Sequence, residues 1–321
     1  MNKQLLISLF IILGLLQSTS CDFQKIKSEA TTGELFIVAD DIVEPLVIAL
    51  NNEFVRLNTE ASIKSEFTPT KNAIADIING KTKNIIIPRD FIEEENEYAK
   101  QNGLTLTKYP VAIDGIGFIV NPKNPAERLT SEDLKNILSG KYKKWTDIKT
   151  QDEKQNDRIL KEMKGSENNI KIFIHRPNSY LYEYVKDSVL LGENYTNTSK
   201  ICSTSVQMLE EVRTYRNSIG ISNLSWLSAG DYDKLDTTVK TLRIYKNNPP
   251  TGERIFAELH QGLISNQTYP YRIVINYYTT ELGLNISTGY ITFLRNKDGQ
   301  TIVLKEGLVP VTQIIRYIQL N

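Results

Sequence analysis

Arg176, Asn178 and Ser179 lie within a five-residue stretch, His175-Arg-Pro-Asn-Ser179, set between an apolar, β-branched run (Ile170 to Ile174) and a segment from Tyr180 to Asp187. In that second segment aromatic and apolar residues recur at helical spacing, so the stretch reads as buried strand, tight loop and helix. Asn178 or Ser179 suits the N-cap, and from Tyr180 onward the first turn exposes backbone N–H groups at the positive end of the helix dipole. A guanidinium beside such a turn adds a fork of donors, which is the chemistry of an oxyanion site. The same residues also fit an ordinary capped connection with a surface arginine.

Three earlier strands end in polar residues of the same kind. Glu34–Ala39 runs into Asp40-Asp41, Ile63–Phe67 into Thr68-Pro-Thr70-Lys71, and Asn84–Ile87 into Pro88-Arg89-Asp90. Helical patterns follow over Pro45–Leu57, Ala73–Ile78 and Glu93–Lys100. Alternating strands and helices imply a parallel sheet with helices on both faces, in which ligands sit beyond the carboxyl ends of the strands. Thr68 and Thr70 fit equally as caps of the next helix.

The remaining elements supply a second unit. Lys108–Val120 is extended and crosses into it at Asp114-Gly115; Leu129–Leu138 is a helix capped by Thr130 or Ser131. The charged insert from Gln151 to Asn169 reads as solvated surface. Val206–Tyr215 is helical, and Ser218–Ser222, Thr241–Tyr245 and Ile273–Tyr278 are extended. Tyr290–Leu294 is the core of a late helix running to Gly299, and Ile302–Val311 closes the chain as a strand or turn. Trp145 and Trp226 read as core or surface anchors.

Composition narrows the class. The chain has 321 residues with 38 basic and 38 acidic side chains, enough for one large or two modest domains and without the basic run that nucleic acid would need. Residues 1–21 resemble a secretory signal: Lys3, an apolar core from Leu5 to Leu16, then Ser18-Thr-Ser20 before Cys21. A cysteine in that place resembles a bacterial lipobox, which makes Cys21 the lipidated first residue of the mature chain; a plain secretory signal is the alternative. Residues 22–32 read as a polar tether. With Cys21 acylated, Cys202 stands alone as a small buried filler. Two distant histidines, His175 and His260, lack the spacing of a zinc site or a catalytic triad, so neither metal nor cofactor is expected.

Four motifs in order resemble phosphate-binding proteins that serve ABC importers, closest to PstS-like lipoproteins of Bacteroidetes-type bacteria. They are Thr130–Ile148 (TSEDLKNILSGKYKKWTDI), Ser218-Ile-Gly220-Ile, Tyr269-Pro270 with Arg272, and Gly299-Gln300 with Gly307-Leu-Val-Pro310. Arg176 and Ser179 fall on the family's ligand loop. The resemblance implies a two-lobed, type II periplasmic-binding-protein fold of α/β class, with mixed sheets flanked by helices and a hinge crossed twice. Lobe one is expected over 33–112 and 240–321, lobe two over 113–239, with the ligand in the cleft.

Carried over, the resemblance implies ligand contacts from the backbone of Asp41 and Ile42, from Thr68 and Thr70, and from Arg89 or Asp90. Lobe two would add Arg176, Asn178, Ser179 and the N–H of Tyr180. The family's usual Ser-Gly-Thr after the arginine is Asn178-Ser179-Tyr180 here, and a carboxylate, Asp41, replaces the usual first-loop hydroxyl. A buried carboxylate repels fully ionised sulfate but accepts a hydrogen bond from hydrogen phosphate, so Asp41 or Asp90 would select phosphate. The expected protein is a monomeric binding lipoprotein, not an enzyme, held to the cell envelope by its lipid and facing the periplasm, with an ABC permease as partner. The alternative is an envelope lipoprotein of the same fold with a signalling or interaction role.

Overall fold

A computed structural model describes residues 29–150, 152–245 and 255–312. The signal segment, Cys21 and residues 22–28 of the tether lie outside them. The first unit runs β1 (Gly33–Asp40), a 3-10 turn (Asp41–Val43), α1 (Glu44–Leu57), β2 (Ala61–Thr68), α2 (Thr70–Ile78), β3 (Asn84–Ile87) and α3 (Glu93–Gln101). Alternation along β1 explains why helices cover both faces. Leu35, Ile37 and Ala39 join the core beneath α1, with Leu46, Val47, Leu50 and Phe54, while Val38 points into a second cluster with Ala73, Ile74 and Ile77 of α2.

The crossing strand is β4 (Thr107–Val120). Its first part pairs antiparallel with β11 (Arg272–Thr279) as far as Gly115, and its last part, from Ile116, pairs antiparallel with β8 (Ser218–Asn223). One strand thus belongs to two half-sheets, and the change of partner falls at Asp114-Gly115. Ring and main chain lock this point: Ile116 N donates to Tyr271 O (2.8 Å) and the Tyr269 hydroxyl to Ile116 O (2.7 Å). A Cβ on Gly115 would stand 2.5 Å from Ile264 Cδ1 and 2.7 Å from Leu259 Cδ1, so a larger residue there would have to push both side-chain tips aside.

The second half contains β5 (Arg128–Thr130), α4 (Ser131–Leu138), α5 (Glu153–Glu162), β6 (Lys171–His175), α6 (Tyr180–Ser188), β7 (Lys200–Cys202), α7 (Ser205–Thr214) and α8 (Leu224–Leu227). After it come β9 (Lys240–Thr241), β10 (Arg243–Tyr245), α9 (Gln261–Ser265), β11, α10 (Ile286–Arg295), α11 (Lys297–Lys305) and β12 (Val309–Pro310). The main sheet runs β2-β1-β3-β11-β4-β8-β6-β7, with β9 and β12 also on β4. Its β1, β2 and β3 are mutually parallel, but β11 is antiparallel to β3, so the sheet is mixed rather than purely parallel.

Three expectations need correction. The charged insert is not merely solvated: α5 turns Gln155 and Ile159 inward, and the Gln155 amide bonds Glu127 N, Arg128 N and Arg128 O. An amphipathic helix with charges outward looks like a polar loop when its buried stripe is so thin. Leu129 belongs to β5, with Thr130 capping α4 through Asp133 N. Residues from Ile302 to Lys305 continue α11, and only Val309–Pro310 is strand; Asn296 caps that helix by accepting from Asp298 N and Gly299 N. Trp145 is fully buried, its indole N–H on Asn217 O, and Cys202 is a buried free thiol. No helix of the described residues is long and apolar enough to cross a membrane.

Candidate functional site

The carboxyl ends of β1 and β6 meet across the molecule. At the β6 end, His175 is buried and its Nε2 donates to Ile221 O (2.9 Å); burial lowers the imidazole's pKa from its ordinary value. Pro177 and Asn178 are exposed, and Ser179 N closes the turn onto Arg176 O. Ser179 occupies the N-cap position of α6 as expected, yet its hydroxyl makes no cap bond. Both Ser179 Oγ and Arg176 Nε are buried without a hydrogen-bond partner. The rest of the guanidinium is engaged: Nη1 donates to Ser203 O (2.9 Å) and Nη2 pairs with the Asp41 carboxylate.

At the β1 end the buried carboxylate is Asp40, not Asp41. Its Oδ1 accepts from Ile42 N (2.9 Å) and its Oδ2 from the Thr70 hydroxyl. Burial, and then the charge of Asp41 next to it, push its pKa up to about 7. The turn is gripped from the other half of the sheet. The Trp226 indole N–H donates to Asp41 O (3.2 Å), and Asn223 Nδ2 donates to Ile42 O (2.9 Å) and to Asp114 Oδ2 (2.7 Å). Asp114 is wholly buried at the strand crossing; desolvation raises its pKa to about 6, against the pull of the Asn223 amide and three backbone N–H groups.

The other expected ligand residues are disposed differently. Asp90 is 62% exposed and faces Lys108, Asn276 and Tyr278, so it cannot act as a buried selector. Asp41, 26% exposed, is an ion-pair partner. Arg89 is held bidentately by Glu95 (both 2.7 Å), which takes its fork of donors. Thr68 accepts from the Asn72 amide (3.2 Å), and Thr70 serves Asp40 instead of capping α2. Tyr180 lies close enough to Asp40 and Arg89 for their charges to act on its phenol. One turn on, Glu183 pairs with Lys71 and the Tyr184 hydroxyl donates to Arg272 O (3.3 Å), so α6 turns one face toward the first half.

Asp41, Ile42, Arg176, Ser179 and Tyr180 are therefore brought together; Thr68, Thr70 and Arg89 stand at the margin with other partners, and Asn178 and Asp90 face outward. Asp40, Asn223, Trp226 and Asp114 were missed as parts of the site. A strand-end position did point to Asp40, but no motif marks Asn223 or Trp226, whose contacts are long-range. No group of three His, Cys, Asp or Glu able to hold a metal occurs among the described residues. The arrangement offers what binding an anion needs: a guanidinium, a hydroxyl and the N–H groups of a helix start on one loop.

A family model described as a PBP superfamily domain matches residues 27–294. The chain belongs to the PBP superfamily. Within that superfamily its relatives include the phosphate-binding protein PstS of Bacillus subtilis, 23% identical over 89% of this chain and 83% of that protein. The PstS of Pseudomonas aeruginosa is 21% identical over 89% and 85%. The PstS of Staphylococcus saprophyticus is 30% identical over a shorter stretch, 36% of this chain and 37% of that protein. Among solved structures, a candidate phosphate ABC transporter substrate-binding protein with bound phosphate from Clostridium perfringens superposes with TM-score 0.69 at 23% identity. That match covers 87% of this chain and 100% of the other. An ABC-type phosphate transport receptor from Vibrio cholerae gives 0.60 at 16% identity, over 86% and 99%. These matches agree with the two-lobed PBP-like α/β fold expected above.

Proposed function

We propose that this PBP-superfamily chain captures phosphate, or a closely related oxyanion, between its lobes and delivers it to an ABC permease. One observation carries the reading: Arg176 Nε and Ser179 Oγ, both buried and unpartnered, sit on one loop at the start of α6. Buried donors are rarely left unmade, and a guanidinium edge, a hydroxyl and helix N–H groups together suit a tetrahedral oxyanion. The PstS names of the relatives support phosphate as the anion. Anchoring at Cys21, on the periplasmic side of the envelope, belongs to the same reading; Cys21→Ser is expected to move the protein from the membrane to the soluble fraction.

Calorimetric titration of the chain from Asp22 onward, with phosphate and then sulfate at neutral pH, tests it. Phosphate binding with sulfate ignored supports capture; no heat from either anion removes it. A second reading, an envelope lipoprotein with an interaction role and no transport, is favoured by one fact: both strand-end arginines already hold carboxylates, Asp41 on Arg176 and Glu95 on Arg89. Permease and ATPase genes beside this one would speak for transport.

A further inference from the structure

Arg176, just before α6, and Glu183, within it, each form an ion pair with the first unit, and the two pairs are built differently. Lys71–Glu183 is a surface pair, its lysine 58% exposed, of the kind that solvent and salt weaken. Arg176–Asp41 is a recessed pair with side chains 29% and 26% exposed, and the turn that presents Asp41 is held by three side chains. Asp40 ties Ile42 N and Thr70 beneath it, Trp226 holds the carbonyl of Asp41 and Asn223 that of Ile42. The carboxylate is thus presented to the guanidinium by a braced turn.

A carboxylate offers an arginine the same anionic oxygens that an oxyanion would. On Arg176 it takes one terminal nitrogen, Ser203 O takes the other, and Nε remains without a partner next to a loop whose Ser179 hydroxyl has none either. We propose that Asp41 is an affinity-determining residue, an internal counter-ion that occupies Arg176 until an incoming oxyanion displaces it. This rests on the oxyanion-capture reading. Asp41 keeps the recessed guanidinium neutralised, and the anion wins by engaging Nε and Ser179 as well as the nitrogen that Asp41 gives up. Observed affinity is then the intrinsic affinity scaled by the fraction of molecules in which Arg176 is free.

The test compares the whole wild-type chain with Asp41→Asn and Asp41→Ala by calorimetric titration with phosphate and with sulfate, each variant first checked by circular dichroism for a native melt. Removing the competitor is expected to tighten anion binding about tenfold or more, or to create binding where the wild type shows none. Asp41→Glu, which keeps the charge, is expected to stay near the wild type. A residue that served only to shape the turn would weaken binding when changed. Unchanged or weaker binding in Asp41→Asn and Asp41→Ala, with the wild type still binding, overturns the counter-ion role and leaves oxyanion capture standing. Silence from all the proteins with both anions overturns both.

Discussion

Asn223 at the end of β8 donates from one amide nitrogen to Asp114 Oδ2 (2.7 Å) and to Ile42 O (2.9 Å), so a single side chain links the strand crossing to the turn after β1. Asp114 completes the joint by accepting from Gly115 N and Leu224 N (3.0 Å) on its other oxygen. Asp114→Ala strands several buried donors at once, each costing about 1–3 kcal/mol. We expect a loss of about 3 kcal/mol or more in urea denaturation, with Asp114→Asn milder because one acceptor oxygen survives. A loss below about 1 kcal/mol for the alanine would mean that the joint carries little.

Asp40 makes stability pH-dependent. Its pKa is about 7 in the fold against an ordinary 3.8, so the native state binds the extra proton and stability falls as pH rises. The contribution is whole below about pH 4 and is lost as pH climbs through 7. Asp40→Asn removes the titration. Its melting temperature relative to wild type is therefore expected to climb between pH 5 and pH 8; a gap that stays constant across that range would refute the assignment.

The two strand-end arginines should separate cleanly in binding. Arg176→Ala removes the guanidinium at the meeting of the lobes and should abolish anion binding. Arg89 gives its fork to Glu95, so Arg89→Ala is expected to leave affinity far closer to wild type than Arg176→Ala does. Equal losses from both substitutions would return Arg89 to the ligand shell.

Gly289 in α10 lets the N-terminal segment cross close by. A Cβ there would stand 1.7 Å from Ala30 O, a backbone atom that cannot swing aside. Gly289→Ala is therefore expected to cost about 2 kcal/mol as the crossing segment is pushed off. Limited proteolysis near residue 30 should become faster; an unchanged rate with unchanged stability would show that the segment simply shifts.

What could be read from the amino-acid order alone was whatever depends on near neighbours along the chain. The short apolar runs at Glu34–Ala39 and Asn84–Ile87 and the helical stripe of Pro45–Leu57 mark strands and a helix found within a residue or two. The thin buried stripe of α5 failed because two inward residues in ten carry too weak a period. The site was only half legible for a different reason. Arg176 meets Asp41 across 135 residues, Trp226 meets it across 185, and Asn223 reaches Ile42 across 181, distances over which no local pattern acts. Which of two adjacent aspartates is buried and which holds the arginine followed from alternation on β1 and the turn after it. Which arginine was already paired was settled by where α3 places Glu95 and where the folded lobes bring β1 against β6.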